Sequence, residues 1–213
     1  SGFVPPGSVL MAEGRVQRSV HVVQRGIVKV VARQTEGAAF RLIAIKTAGC
    51  LVGSEALLSS TLPAVSTVAG SGCYLATIPA PLFLSLMTDG RFSRAVAAAC
   101  AHDLMRRDDW DTAMHWASAA KRLLGLLDHI WSSASSVDGR LRCEVLSSLS
   151  HKEMAQMIRA SPEHLCRLLR ELESSGTIRR QGGWILPGDM GQSKRSCEPS
   201  SAPLEVHGAR VVL

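Results

Sequence analysis

The sequence predicts an α+β chain in three consecutive parts: a β-roll of short strands, one long helix, and a set of short helices closed by a hairpin. Three observations carry the prediction. Gly7, Gly14, Gly26, Gly37, Gly49, Gly53, Gly70 and Gly72 separate short apolar runs within residues 1–90. Residues 91–116 turn alanine-rich and helical in pattern. Residues 149–187 carry two helix-start signals, then a basic hairpin punctuated by glycine.

In the first part, "SVHVVQRGIVKVVA" alternates around Gly26, and "AFRLIAI" and "CYLATI" are further runs of the same kind. Alternation with period two marks strands, and glycines between them supply the turns. Regularly spaced short strands imply a compact sandwich or roll over residues 1–90. From Arg91 to Trp116, "AVAAACA" is followed by "RRDDWD". A helix over this stretch reaches roughly 39 Å, longer than the small β domain. Its small residues, Ala95 through Ala101, let a second backbone approach closely, so a two-fold dimer along residues 91–117 is expected. The polar stretch 106–109 interrupts any heptad.

Ser118 restarts the pattern by capping a helix "AAKRLLGLLDHIW", whose Leu123, Leu124, Leu126 and Leu127 need a core. A hinge is therefore placed at 117 and 118, and a last structured part at 118–187. The loop "SSASSVDGR" and a brief strand near "CEVL" are expected next. Ser150 and Glu153 then form an S-x-x-E capping box, each side chain satisfying the other's free backbone N–H. Met154, Met157 and Ile158 share one face of the helix it opens. Ser161 with Pro162 starts a second helix, because serine caps and proline at the first helical position loses no hydrogen bond. That helix buries Leu165, Leu168, Leu169 and Leu172, exposes Glu163, His164, Arg167, Arg170 and Glu171, and stops at Gly176. Thr177–Arg180 and Trp184–Leu186 pair as strands around Gln181-Gly182-Gly183. Two helices joined by a short turn make a helix-turn-helix, and the hairpin makes it winged. Residues 188–213, rich in Gly, Ser and Pro, read as a mobile tail.

A second helix of this kind fits the major groove of B-DNA and presents its N-terminal residues to base edges. Glu163 can accept from a cytosine amino group, and Arg167 can donate two bonds to guanine. The candidate DNA-binding set is Ser150, Ser161, Pro162, Glu163, His164, Cys166, Arg167 and Arg170, with Arg179 and Arg180 on the wing meeting phosphates. The chain holds 24 Lys and Arg against 18 Asp and Glu, a net charge of +6, which permits nucleic acid as partner without requiring it. The six cysteines form no C-x-x-C pair, so neither a zinc ribbon nor a redox dithiol is indicated. Cys166 stands beside Arg167 on the outward face, where a cation can activate a thiol toward oxidation; a small space-filling role is the plainer reading. No apolar run approaches the roughly 20 residues that span a bilayer, and the start at Ser1 lacks signal-peptide form. A cytoplasmic protein with reduced thiols and no membrane contact is expected.

The succession "PPGSVLMAEG", "VVQRGIVKV", "GCLVGSEALL", a long helix and "KEMAQMIRASPEHLCRLLRELESSGTIRR" resembles the CRP/FNR superfamily, the cyclic-AMP receptor protein and its relatives, over roughly residues 3–187. The resemblance implies a jelly roll of the cyclic-nucleotide-binding type, a dimerisation helix and a winged helix-turn-helix. It further implies a homodimeric, sequence-specific transcription regulator without catalytic chemistry, acting on a pseudo-palindromic duplex and on RNA polymerase, with an effector sensed by the roll and the dimer helix. The family's S-x-E-x-x-x-R motif falls on Ser161, Glu163 and Arg167. Two positions depart from it. Pro162 stands where arginine or another polar residue is usual, and Arg159 occupies a turn position usually held by glycine or a small residue, where arginine would be strained.

In cyclic-nucleotide-binding members a Gly-Glu pair and a later Arg-Ser dipeptide hold ribose and phosphate. Here Gly53, Ser54 and Glu55, with Ser66 and Thr67, outline the equivalent pocket, but "TLPAVSTV" contains no arginine. A buried phosphate would lose its charge-assisted bond, so the sequence argues against a cyclic nucleotide. An iron-sulfur cluster needs four grouped thiolates, and none are grouped. Haem ligation by His21, His102 or His115 stays open, although a lone histidine is more often structural. The cofactor is thus unassigned. A cupin-type metal enzyme fails on ligand count, since residues 1–90 contain only His21. A roll-type regulatory module whose winged helix docks protein rather than DNA is the remaining alternative.

Overall fold

The computed structural model describes residues 1–33, 40–135, 137, 139–181 and 183–188. The turn expected at Gly37 and the tail beyond Gly188 lie outside these residues. The roll contains β1 (Gly2–Val4), β2 (Val9–Met11), β3 (Ser19–Arg25), β4 (Val28–Arg33), β5 (Phe40–Lys46), β6 (Leu51–Val52), α1 (Ser54–Ser59), β7 (Ser66–Ala69), β8 (Cys73–Pro79) and α2 (Ala80–Leu86). Two four-stranded antiparallel sheets, ordered β1-β8-β3-β6 and β2-β7-β4-β5, face each other. Alternate residues of β3, β4 and β8 fill the space between them: Val23, Val28, Cys73 and Leu75 form an apolar cluster with Met11, Cys50, Val52 and Ala69. Gly26 joins β3 to β4 at a φ of 94°, and a Cβ there would collide with the Gly72 carbonyl oxygen. Only glycine meets both demands.

Asp89 caps the long helix α3 (Gly90–Trp116) by accepting from the Arg91 and Phe92 N–H groups at 2.9 and 2.8 Å. At 27 residues, α3 extends about 40 Å. Its start packs on the roll, where Val96 joins Val20, Leu51 and Phe83. Ala117 is extended, at φ −87° and ψ 145°, and breaks α3 from α4 (Ala119–Ser135). Arg122 fastens this break: its guanidinium donates to the Ala117 carbonyl at 2.6 Å and to the Ile158 carbonyl at 3.0 Å.

The C-terminal part continues with α5 (Gly139–Leu146), α6 (His151–Met157), α7 (Pro162–Ser174), β9 (Ile178–Gln181) and β10 (Trp184–Pro187). The strand expected near "CEVL" is helix α5. Val145 is fully buried against the winged core, with Leu141 four residues earlier packed on the same cluster, a helical spacing that a short apolar run conceals. The core joins Leu123, Leu126, Leu127 and Ile130 of α4 to Met154, Ile158, Leu165, Leu168, Leu169, Ile178 and Ile185. Ile27 and Leu42 of the roll belong to the same cluster, so one face of the roll packs directly on the winged part. No described helix is long and apolar enough to cross a membrane.

Candidate nucleic-acid interface and interdomain cavity

The helix-turn-helix is held by its own caps. Ser150 accepts the Glu153 N–H at 3.2 Å while the Glu153 carboxylate accepts the Ser150 N–H at 2.8 Å, completing the capping box of α6. Ser161 caps α7 by accepting the His164 N–H at 3.1 Å, with Pro162 at the first helical position. Between the helices, Arg159 has a φ of 51°, in the left-handed region that a side chain enters at a cost of about 1 to 2 kcal/mol. The departure from the family motif at this position is thus a real backbone feature.

Leu165, Leu168 and Leu169 anchor α7 in the core, which turns the opposite face outward. Pro162, Glu163, Arg167 and Arg170 are exposed on that helix, and His164 and Cys166 are half-buried at its border. The Glu163 carboxyl lies below its usual range because its own backbone N–H and the Ser161 hydroxyl bond it. Arg167 Nε lies 3.9 Å from Glu171 Oε1, a loose surface pair that leaves the guanidinium accessible. Ser150 and Ser161 are exposed, but both hydroxyls serve the caps. On the wing, Arg179 and Arg180 are exposed, and Arg180 donates through Nε and Nη2 to Glu173 at the end of α7. The structure therefore brings the α7 residues together on one face and ties Arg180 to the helix behind them.

The second site is a cavity of about 690 Å³ between the roll, α3 and the winged part. Gly53, Glu55 and Thr67 line it; Ser54 and Ser66 do not. The Ser54 hydroxyl donates to Glu55 at 3.2 Å, and the Ser66 hydroxyl accepts the Glu13 N–H at 3.0 Å. Residues that sequence reasoning passes over supply the charges. Lys46, nearly buried at the end of β5, donates to the Leu51 carbonyl at 2.7 Å, Glu55 at 2.8 Å and Asp103 at 3.0 Å. Arg107 approaches Asp103 at 2.9 Å and Glu55 at 3.6 Å, and Arg106 approaches Asp103 at 3.2 Å and Cys50 Sγ at 2.7 Å. Burial alone would raise the Glu55 and Asp103 carboxyls; the Lys46 ammonium, together with Arg107 and the remaining hydrogen bonds and cations around each, outweighs it and leaves both below the usual range. His129, also in the wall, is pushed down by burial and by Arg106. The sequence signal for this cluster is the polar stretch 106–109, which by its pattern marks only a break in the heptads.

His21, one haem candidate, has both ring nitrogens engaged, by Ser19 at 3.2 Å and Thr77 at 3.0 Å. Among the described residues no group of three or more His, Cys, Asp or Glu could hold a metal ion.

Residues 2–89 match the family described as cyclic nucleotide-binding domain, and residues 120–190 match the Crp-like helix-turn-helix domain. Among solved structures, the chain is similar to TTHB099, a CRP-family transcriptional regulator of Thermus thermophilus, at 16% identity over 89% of this chain and 92% of that one, with a TM-score of 0.70. It is likewise similar to FixK2 of Bradyrhizobium japonicum, at 15% identity over 88% and 91% of the two chains and a TM-score of 0.70. The c-di-GMP responsive global regulator CLP of Xanthomonas campestris aligns at 16% identity over 88% and 92%, with a TM-score of 0.65. At these identities the likeness concerns the fold. No curated protein matches the sequence.

Proposed function

The chain belongs to the CRP/FNR family of winged helix-turn-helix transcription regulators, and from that premise we propose that it acts as a homodimer that reads a pseudo-palindromic duplex under control of an effector held by the roll. The observation that carries the reading is the outward face of α7. Glu163, Arg167 and Arg170 project from a helix whose opposite face is sealed in the core, the arrangement that direct readout in a major groove needs.

Dimerisation is supported by α3. Ala97, Ala101, Leu104 and Asp108 form one exposed line along it, Ala98 and Met105 flank that line, and Trp116 at its end is 86% exposed. A two-fold axis along such a helix covers this surface and sets two half-sites roughly 34 to 36 Å apart. Contact with RNA polymerase is part of the proposal, carried by the family alone. Selection of duplexes from a random pool by the purified chain, followed by sedimentation of the complex, tests it. Recovery of an inverted repeat bound by two chains is expected; no selected sequence, or a one-to-one complex, refutes it.

A further inference from the structure

We propose that the cavity between the roll, α3 and the winged part binds an uncharged, largely apolar small molecule whose single polar end is received by the Thr67 hydroxyl. The inference rests on the reading of the roll as the sensing part and names the chemical class it senses. The volume, about 690 Å³, falls in the range of roughly 300 to 1,000 Å³ typical of sites for small organic molecules. Its walls are mainly apolar, with Val30, Ile43, Leu62, Trp110, Leu126 and Met157 prominent.

Thr67 points to a ligand independently. It lines the cavity, is 1% exposed, and its Oγ1 is buried without a hydrogen-bond partner. Native proteins rarely leave a buried hydroxyl unsatisfied, and a hydroxyl or carbonyl on the occupant satisfies it.

Charge selects against an anion. The three N–H bonds of Lys46 meet three acceptors, and Arg106 and Arg107 are already paired with Asp103, Cys50 and Glu55. Asp109 and Asp111 add negative charge to the wall. A phosphate entering here would have to displace a carboxylate from a cation, with no arginine in the 61–68 stretch to receive it. The occupant also touches Leu126 and His129 of α4 and Met157 of α6, so it packs directly on the winged part as well as on α3.

The test is a fluorescence titration of the full chain with N-phenyl-1-naphthylamine, an uncharged apolar probe, in competition with 1-naphthol, naphthalene and cyclic AMP. Saturation at one probe per chain is expected, with 1-naphthol displacing it at roughly tenfold lower concentration than naphthalene. Thr67→Val is expected to erase that difference. Ala56→Phe, which fills the cavity from α1, is expected to weaken the probe at least tenfold and keeps the test open if the first variant does not fold. Displacement by cyclic AMP at lower concentration than 1-naphthol, or unaltered probe binding in Ala56→Phe, overturns the proposal. No duplex is present, so a failure of DNA recognition leaves this outcome untouched.

Discussion

Arg167 and Glu163 lie one helical turn apart on α7, and the Arg167 partner, Glu171 at 3.9 Å, is loose enough to be replaced. Arg167→Ala is expected to cost about 1 to 3 kcal/mol on the selected duplex and to relax preference at one base pair, measured by titrating single-base variants. Arg180→Ala is expected to weaken all duplexes alike and to flatten the salt slope by about 0.9 for each phosphate that Arg180 neutralises, since its exposed pair with Glu173 exchanges readily for phosphate. Acid stability also belongs to single residues. Burial would raise the Glu153 carboxyl, but the Lys29 ammonium at 2.6 Å and the Ser150 N–H hold it below the usual range, as Lys46 and Arg107 help to do for Glu55 and Asp103. Folded values below the unfolded ones mean stability present above about pH 4.5 and lost as pH falls through the folded values. His129, also lowered, adds stability above about pH 6.5 that is lost on acidification. Urea midpoints are therefore expected to fall from pH 7 to pH 3, and His129→Asn is expected to remove the upper part of that fall. The Glu153 and Ser161 caps are legible in the sequence because their partners are three residues away; the Lys46 pairing is not, because Asp103 is 57 positions distant.

At the scale of elements, the turn between α6 and α7 stores strain. Arg159→Gly removes a left-handed arginine but adds freedom to the unfolded chain, for a net gain of roughly 0.5 to 1 kcal/mol and a melting temperature about 1 to 4 °C higher. Calorimetry checks this; a lower melting temperature would mean that the Asp111 contact at 3.8 Å outweighs the strain. For α3, Met105→Glu places a second charge beside the exposed line of Ala97, Ala101, Leu104 and Asp108, and sedimentation is expected to shift toward monomer. Periodicity reveals α3, α4, α6 and α7 because each is long or doubly capped. It misses α5, whose eight residues offer too few turns to separate period 3.6 from period 2. The strands β1, β2 and β6, two or three residues each, are too short to leave any alternation.

Across the whole molecule, hydrogen bonds tie the roll to the winged part, among them Thr47 Oγ1 with His129 Nε2 at 3.5 Å. Lys29 of β4 bonds Glu153, the Leu42 N–H donates to Gln156 Oε1 at 3.1 Å, and the Gly72 N–H donates to Glu144 at 2.8 Å. Glu153 thus serves the capping box of α6 and the roll at once. The contact between parts reaches the start of the helix-turn-helix. Lys29→Ala combined with Gln156→Ala is expected to loosen the docking and to speed proteolysis at the Ala117 break several-fold, followed by gel electrophoresis over time. An unchanged cleavage rate would assign the rigidity to Arg122 and the shared apolar cluster instead.

The amino-acid sequence by itself determined the three-part α+β order, the caps of α6 and α7, and the split of α7 into a leucine face and a charged face. All of these are written in spacings of a few residues, where backbone geometry dictates which side chains meet. Tertiary structure alone decided that α3 brings Asp103 against Lys46, Arg107 against Glu55 and Arg106 against Cys50, that Thr67 is left without a partner beside a large apolar space, and that β4 and β5 grip α6. The Lys46–Asp103 and Lys29–Glu153 pairs join positions 57 and 124 residues apart, and no local periodicity records which distant surfaces a folded chain presses together.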